Sequence, residues 1–387
     1  MTTSTVCFSI KSILYIFGVW PDTSCLALRR LFWTVLLTVT LILQYTYVAL
    51  HFHTDSLTDL MDTVSTCLAY NLLFIKLIIF WINQRKFHNI LTRIAADWKE
   101  CANDPFSMQV TASMASLSHR VSNTIIGIHM AAVVTYSLGA FLSNSGDETF
   151  NASTIPVRVF IINMEYPFDS SSSPVYELVV IMQFIQLVLN ACAIDVINAL
   201  IMTLVLHVSG QIDILQEWLT NIFSKDSIHG MTGTTIKNLI GKHQKIILFA
   251  EDVENLYCYI ALMQFIAITL IICSIGFVIV SSLDSPDAST MLVKTLMFYI
   301  VMNLEAFTFC FAGEYLSSKS QNIANAAYGS LWYNVHVNKS QIIIFLILRS
   351  QKRLTITIGK VADLSLERFA SIMKASASYI SVLLAMS

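Results

Sequence analysis

Residues 176–208 read YELVVIMQFIQLVLNACAIDVINALIMTLVLHV, 33 positions with two acidic side chains and no Lys or Arg. About 20 apolar residues cross ~30 Å of hydrocarbon as a helix, so this stretch spans a bilayer and continues into water on one side. Windows of the same character flank it at Leu31–Phe52, Val64–Ile82, Asn123–Leu142, Leu256–Leu283 and Met291–Gly313. A seventh closes the chain, where Leu364–Ser387 (LSLERFASIMKASASYISVLLAMS) carries charge only in its first half. Composition agrees, with 12% charged and 55% apolar residues and a mean hydropathy of +0.66. A soluble domain carries roughly 25% charged residues. The expected fold is an all-α membrane protein with seven transmembrane helices.

Lys and Arg divide unequally between the two ends of these windows, and the basic end stays in the cytoplasm. Eighteen of the 23 Lys and Arg lie at the N-terminus and in the connections after the second, fourth and sixth windows. The three opposite connections hold only Arg158 against nine acidic residues. The N-terminus is therefore expected inside and the C-terminus outside. Asn151-Ala152-Ser153 falls in an outer connection and is a glycosylation candidate, whereas Asn338-Lys339-Ser340 falls on the inner side. None of the eight cysteines lies in an outer connection, so no extracellular disulfide is expected. The apolar run Ile13–Trp20 stops at Pro21 without a small-residue cleavage site. It reads as a short amphipathic or re-entrant element rather than a secretory leader.

Charges inside the windows are costly, at least ~2.5–3.5 kcal/mol each at a helix centre. Lys76 is placed to snorkel to the inner interface. Asp195 and Glu305 either face a polar interior or lie where long helices leave the lipid. The final window has a stripe of its own: at 100° per residue Ser371, Ala375, Ser378, Val382 and Met386 share one face. Such a stripe either lines a water-filled path or lets two helices pack closely.

Catalytic chemistry finds no foothold. His51 and His53 point to different helix faces, and no Gly-rich phosphate loop, GxSxG elbow or HExxH occurs. No enzyme activity, metal, cofactor or nucleic-acid partner is expected. G-protein-coupled receptors share the helix count, but the N-terminus falls on the wrong side and the segment before the last helix is long, charged and cytoplasmic.

Several strings, in order along the chain, resemble the insect odorant receptor family. They are Phe17–Pro21 (FGVWP), Pro167-Phe168-Asp169 before a Ser-rich turn with Pro174 and Tyr176, and His243-Gln244 with Glu254. Gly313-Glu314-Tyr315-Leu316, Ala326-Ala327-Tyr328 and Trp332-Tyr333 follow, then Leu364-Ser365, Phe369 and Ser378-Tyr379. The Thr-Tyr … Gln-Phe ending of the related gustatory receptors is missing. The resemblance implies a tetrameric ligand-gated cation channel with a seventh helix in two parts. Residues 1–313 would then hold six membrane helices and the odorant pocket, 314–362 the cytoplasmic anchor, and 363–387 the pore-lining half.

By the same resemblance, Val382 and Met386 form the pore constriction, supported by Tyr379, with Ser378 on the wetter path below. A ring of Val and Met gates by dewetting. The family's pocket lies among helices 2, 3, 4 and 6 and takes a small volatile organic ligand. Depth then selects Tyr70, Phe74, Thr135, Tyr136, Met182, Gln186, Met297, Phe298 and Val301. The connection between the fourth and fifth helices is short, unlike that of the family's shared co-receptor. The chain thus reads as a tuning subunit that joins the co-receptor in a heterotetramer, in the plasma membrane of an olfactory sensory neuron. Two rivals remain: a seven-helix chemoreceptor that signals through an intracellular protein, and a transporter, for which paired broken helices are missing.

Overall fold

The computed structural model describes residues 5–21, 25–146, 160–170, 172–222, 233–282, 288–334 and 337–386. Its helices are α1 (Phe8–Ile16), α2 (Leu26–His51), α3 (Leu57–Ile82), α4 (Gln84–Cys101) and α5 (Pro105–Gly146), then α6 (Val175–Ile222), α7 (Gly233–Ser282), α8 (Ala288–Gly329), α9 (Val337–Gln351) and α10 (Leu366–Met386). Among the described residues six helices, α2, α3 and α5 to α8, are long and apolar enough to cross a membrane. The protein is a multi-pass membrane protein. The 48 residues of α6 make a helix ~72 Å long at 1.5 Å per residue, more than twice the hydrocarbon thickness. Its upper part, with α2, α3, α5, α7 and α8, forms the apolar bundle. The lower parts of the long helices continue into a second bundle with α4 and α9. "Upper" denotes the end bearing the α2–α3 turn and residues 160–170.

Burial explains who sits where. From Ala193 to Leu215 almost every residue of α6 is buried, so this helix is enclosed by its neighbours and its polar side chains, such as Asn198 and His207, meet partners inside. By contrast α2 leaves Leu31, Val35, Val39 and Ile42 exposed on one face, which is a lipid-facing stripe. In the lower bundle α4 is amphipathic and buries Phe87, Ile90, Ile94 and Trp98. Caps mark the helix starts. Ser56 Oγ accepts the Asp59 N–H at 3.2 Å to begin α3. Asp104 does the same for Ser107 at 3.1 Å before α5, and these Ser107 bonds hold its carboxyl below the ordinary range.

The FGVWP stretch docks α1 beneath the upper bundle. Trp33 and Trp81 donate their indole N–H groups to the carbonyls of Ile16 and Phe17, at 3.0 and 3.1 Å. Phe17 stacks on Trp33 with ring centroids 4.2 Å apart. These bonds satisfy carbonyls that the end of α1 would otherwise leave open.

The last third of the chain returns to α7 and α8. Residues between Gly313 and Gly329 prolong α8, so the expected boundary at Gly313 falls inside one helix. The segment expected to form the first half of the seventh helix is thus shared between the end of α8 and α9. A two-stranded antiparallel hairpin, β1 (Thr357–Ile358) with β2 (Ala362–Asp363), then leads into α10. It docks on α7: Thr357 Oγ1 donates to Glu254 Oε1 at 2.7 Å and Lys360 Nζ to Glu254 Oε2 at 2.6 Å. The Glu254 bond holds the Lys360 ammonium above the usual lysine range. His243 and Ser350 join α7 to α9 through a 3.3 Å bond.

Gly313 and Glu314 together seat α10. A Cβ at Gly313 would stand 2.5 Å from the Leu364 carbonyl oxygen, so only glycine lets that backbone approach. Glu314 Oε2 accepts the Leu366 N–H at 3.4 Å, and a carboxylate there also complements the positive end of the helix. Gly313→Ala should therefore destabilise the fold by about 1–3 kcal/mol through overpacking. Glu314→Gln, which keeps an acceptor, should cost less. Heating a fluorescently tagged chain and measuring what survives gel filtration tests this; an unchanged melting temperature for Gly313→Ala removes the close approach from the account.

Candidate functional site

Four helices turn one face each toward a common cavity in the upper bundle. Thr66, Ala69, Tyr70 and Leu73 come from α3, and His129, Ala132, Val133 and Tyr136 from α5. Leu187, Asn190, Ala191 and Ile194 come from α6, and Phe298, Val301, Met302 and Glu305 from α8. Each set follows the spacing i, i+3, i+4, i+7, two turns along a single helix face. Ile162 closes the top. It is clamped there by Gln183, whose Oε1 accepts from the Ile162 N–H at 3.2 Å while its Nε2 donates to the Ile162 carbonyl at 2.9 Å. The cavity measures about 100 Å³, smaller than the dry cavity of ~150 Å³ that takes benzene. The shape suits a small, mostly apolar molecule.

Charged groups bracket the cavity above and below. At the upper rim Lys294 Nζ lies 2.9 Å from Asp62 Oδ2 and 4.7 Å from the Tyr136 ring centroid. This ties α3, α5 and α8 at one level. At the lower end Lys76 Nζ donates to Glu305 Oε2 at 3.1 Å, with side chains 0% and 2% exposed. Lys76 also reaches Asn198 Oδ1 at 3.4 Å, and Gln264 Nε2 of α7 donates to Glu305 Oε2 at 2.8 Å. His129 meets Asp195 beside this network. Lys76 therefore does not snorkel. Its neighbour is a carboxylate in the bundle centre, and pairing there replaces escape to water. Asp195 and Glu305 likewise face a polar interior.

Residues 56–377 match the family model described as 7tm Odorant receptor. The chain belongs to the insect odorant receptor family. It is 26% identical over 257 residues to Odorant receptor 10 of Aedes albopictus, covering 66% of this chain and 67% of that one. With Odorant receptor Or2 of Anopheles gambiae it shares 25% over 315 residues, 78% of each chain. The structure of the olfactory receptor OR5 from Machilis hrabei in complex with eugenol superimposes with a TM-score of 0.81 at 17% identity. That match covers 98% of this chain and 97% of the other, and it shows the shared fold. These relatives are receptors, and the chain is a receptor rather than an enzyme.

Of the positions selected by depth, the receptor brings Tyr70, Tyr136, Phe298 and Val301 to the cavity wall. Phe74, Thr135, Met182, Gln186 and Met297 are not among the lining residues. Phe74 packs into the main core and Met297 into a smaller cluster beside it. Met182 is 62% exposed on the bundle surface. Gln186 donates to Thr40 Oγ1 of α2 at 2.5 Å, and Thr135 bonds back to the Ala131 carbonyl at 2.9 Å. Adjacent residues such as Thr135 and Tyr136 cannot both face inward on a helix. The missed lining residues, His129, Asn190 and Glu305 above all, carried a usable signal: a polar side chain on each stripe with the i, i+3, i+4, i+7 spacing.

Helix α10 packs on α7 with Ile372 and Ser376, both buried, and Cys273 Sγ lies 3.9 Å from the Ser376 carbonyl. A Cβ at Gly276 would collide with Ile380. The opposite side of α10 holds Ser371, Ser378 and Val382, exposed in the single chain, and Tyr379, at the edge of the α7-facing side, is exposed as well. Met386 ends the helix. Asn151 lies outside the described residues. No group of three His, Cys, Asp or Glu side chains suited to a metal occurs among the described residues.

The ion pair has a measurable signature. Lys76→Met leaves a buried carboxylate without its cation and should cost about 3–5 kcal/mol, while Lys76→Met with Glu305→Met should recover most of it. Thermal survival of the four proteins in the double-mutant cycle checks this. If the double variant is no better than the single, the pair is not coupled as described.

Proposed function

We propose that the chain is the tuning subunit of an odorant-gated, non-selective cation channel, with the four-helix cavity as the odorant site and α10 as its share of the pore. The exposed face of α10 carries the reading. Ile372, Ser376 and Ile380 pack on α7 while Ser371, Ser378 and Val382 stay uncovered, so this stripe is left for water or for neighbouring subunits. Val382 and Met386 would form the hydrophobic constriction, Tyr379 would support it, and Ser378 would line the wetter path.

The lower bundle fits the role of a subunit anchor. Tyr328, Tyr333, Val337 and Phe345 are 70%, 63%, 66% and 71% exposed, an apolar and aromatic surface of the kind that meets partners. The co-receptor is the partner proposed for it. The connection between α6 and α7 spans only residues 223–232, in keeping with a tuning subunit. Positive charge at the lower end supports a cytoplasmic N-terminus and an extracellular end of α10. Acidic residues Asp55, Asp59 and Glu165 at the upper end favour cations near the mouth. Asn151 is the proposed glycan site, and an olfactory neuron's plasma membrane the proposed location.

Coupling from cavity to pore would run through α7. Glu305 lines the cavity and binds Gln264, and the same helix carries Cys273 and Gly276 against α10. An odorant opens the pore only by binding better to the arrangement in which α7 and α10 have moved outward.

Three recordings test this. In cells expressing the chain with its co-receptor, odorant should evoke a rapid current that survives G-protein blockade. A slow, blocker-sensitive current instead favours signalling through an intracellular protein. Val382→Ala with Met386→Ala should alter ion selectivity or raise resting current; if both stay as in the parent, α10 of this chain does not line the pore. Filling the cavity with Ala191→Phe should abolish the odorant response while surface expression persists. A response that survives this substitution moves the odorant site elsewhere.

A further inference from the structure

The cavity is apolar along most of its wall, but the hydrogen bonding is incomplete at Glu305, at its lower end, and at Asn190, half-way down the α6 stripe. Glu305 Oε2 accepts from both Lys76 and Gln264, at 3.1 and 2.8 Å. Its second oxygen, Oε1, is buried without a hydrogen-bond partner among the described residues. Asn190, 3% exposed, leans toward the Tyr70 hydroxyl, but neither its amide oxygen nor its amide nitrogen closes a hydrogen bond of ordinary length. Both residues line the cavity. A buried donor or acceptor left unpaired is costly, so a molecule that satisfies these atoms gains what the protein alone leaves unmade.

We propose, building on the odorant-site reading above, that the preferred ligands are small neutral alcohols or phenols, whose hydroxyl donates to Glu305 Oε1 and accepts from Asn190 Nδ2 while the hydrocarbon part fills the space toward Phe298 and Tyr136. Three observations converge on that class. The cavity volume of about 100 Å³, below the ~150 Å³ that takes benzene, limits the ligand to a single small ring or a short chain. Phe298 and Glu305 stand seven residues apart on α8, ~10 Å along the helix axis, which sets an apolar end and a polar end for one molecule. The Glu305 charge is already matched by Lys76, so an ammonium ligand would bring an uncompensated charge into the bundle. A hydroxyl brings none. It supplies both the donor that Oε1 needs and the acceptor that the Asn190 amide needs.

The test compares isosteres that differ in the hydroxyl alone: benzyl alcohol against ethylbenzene, and cyclohexanol against methylcyclohexane. Benzylamine serves as the cationic control. The tagged full-length chain, co-expressed with its co-receptor and held in lipid nanodiscs, is heated with graded ligand, and its survival is read by fluorescence-detected gel filtration. Each alcohol should protect at about ten- to a hundredfold lower concentration than its hydrocarbon. Asn190→Leu should weaken protection by the alcohols and leave that by the hydrocarbons unchanged. Equal potency within the pairs, tighter binding of benzylamine, or protection by none of the five compounds overturns the proposal, even if Asn190→Leu fails to fold. Occupancy is measured without current, so the two readings fail separately. Alcohol preference without evoked current supports the cavity chemistry and sinks the channel, whereas evoked current without alcohol preference sinks the hydroxyl assignment alone.

Discussion

Lys76 and Glu305 meet 3.1 Å apart in the middle of an apolar bundle, and neither can be accommodated there without the other. Moving either ion alone into low dielectric costs several kcal/mol, and the pair repays that cost only when further hydrogen bonds complete it. Asn198 and Gln264 supply those bonds, so four helices (α3, α6, α7 and α8) are held at one depth. The register of the upper bundle depends on this. With α3 and α8 tied at Lys76 and Glu305 below and at Asp62 and Lys294 above, the stretch between them has its side chains directed by two fixed points.

The cavity lies between those points. Four stripes of two turns each face one another, and Ala69, Ala132 and Ala191 leave room where larger residues would close the space. A helix bundle in lipid gains little from hydrophobic burial between its members, so such a void is tolerated when ionic ties keep the helices apart at both ends. The same ties fix the direction of the polar groups at the floor of the cavity.

Helix α7 is the common neighbour of everything that follows. It reaches the floor of the cavity through Gln264, carries the hairpin through Glu254, and seats α10 through Gly276 and Cys273. Gly313 and Glu314 of α8 hold the other side of the α10 entrance. A shift in one helix therefore alters contacts at both the cavity and the last helix.

The membrane class, the long fourth helix and the basic lower end were legible in the sequence, because hydropathy and charge act position by position and need no partner. So was membership in the family, through strings such as Gly313-Glu314 and Phe17–Pro21. Their reason was not. That Gly313 admits the Leu364 carbonyl and that Glu314 caps α10 depends on residues about fifty positions away. Lys76 shows the limit most clearly: alone on a helix it should reach for water, and only the arrival of Glu305, 229 positions on, makes burial the better choice. Tyr70, Tyr136, Phe298 and Val301 could be selected by depth, but Met182, Gln186 and Thr135 at similar depths turn elsewhere. Depth follows from a count of residues along one helix. Facing follows from the rotation of each helix against its neighbours, and that is set by tertiary contacts alone.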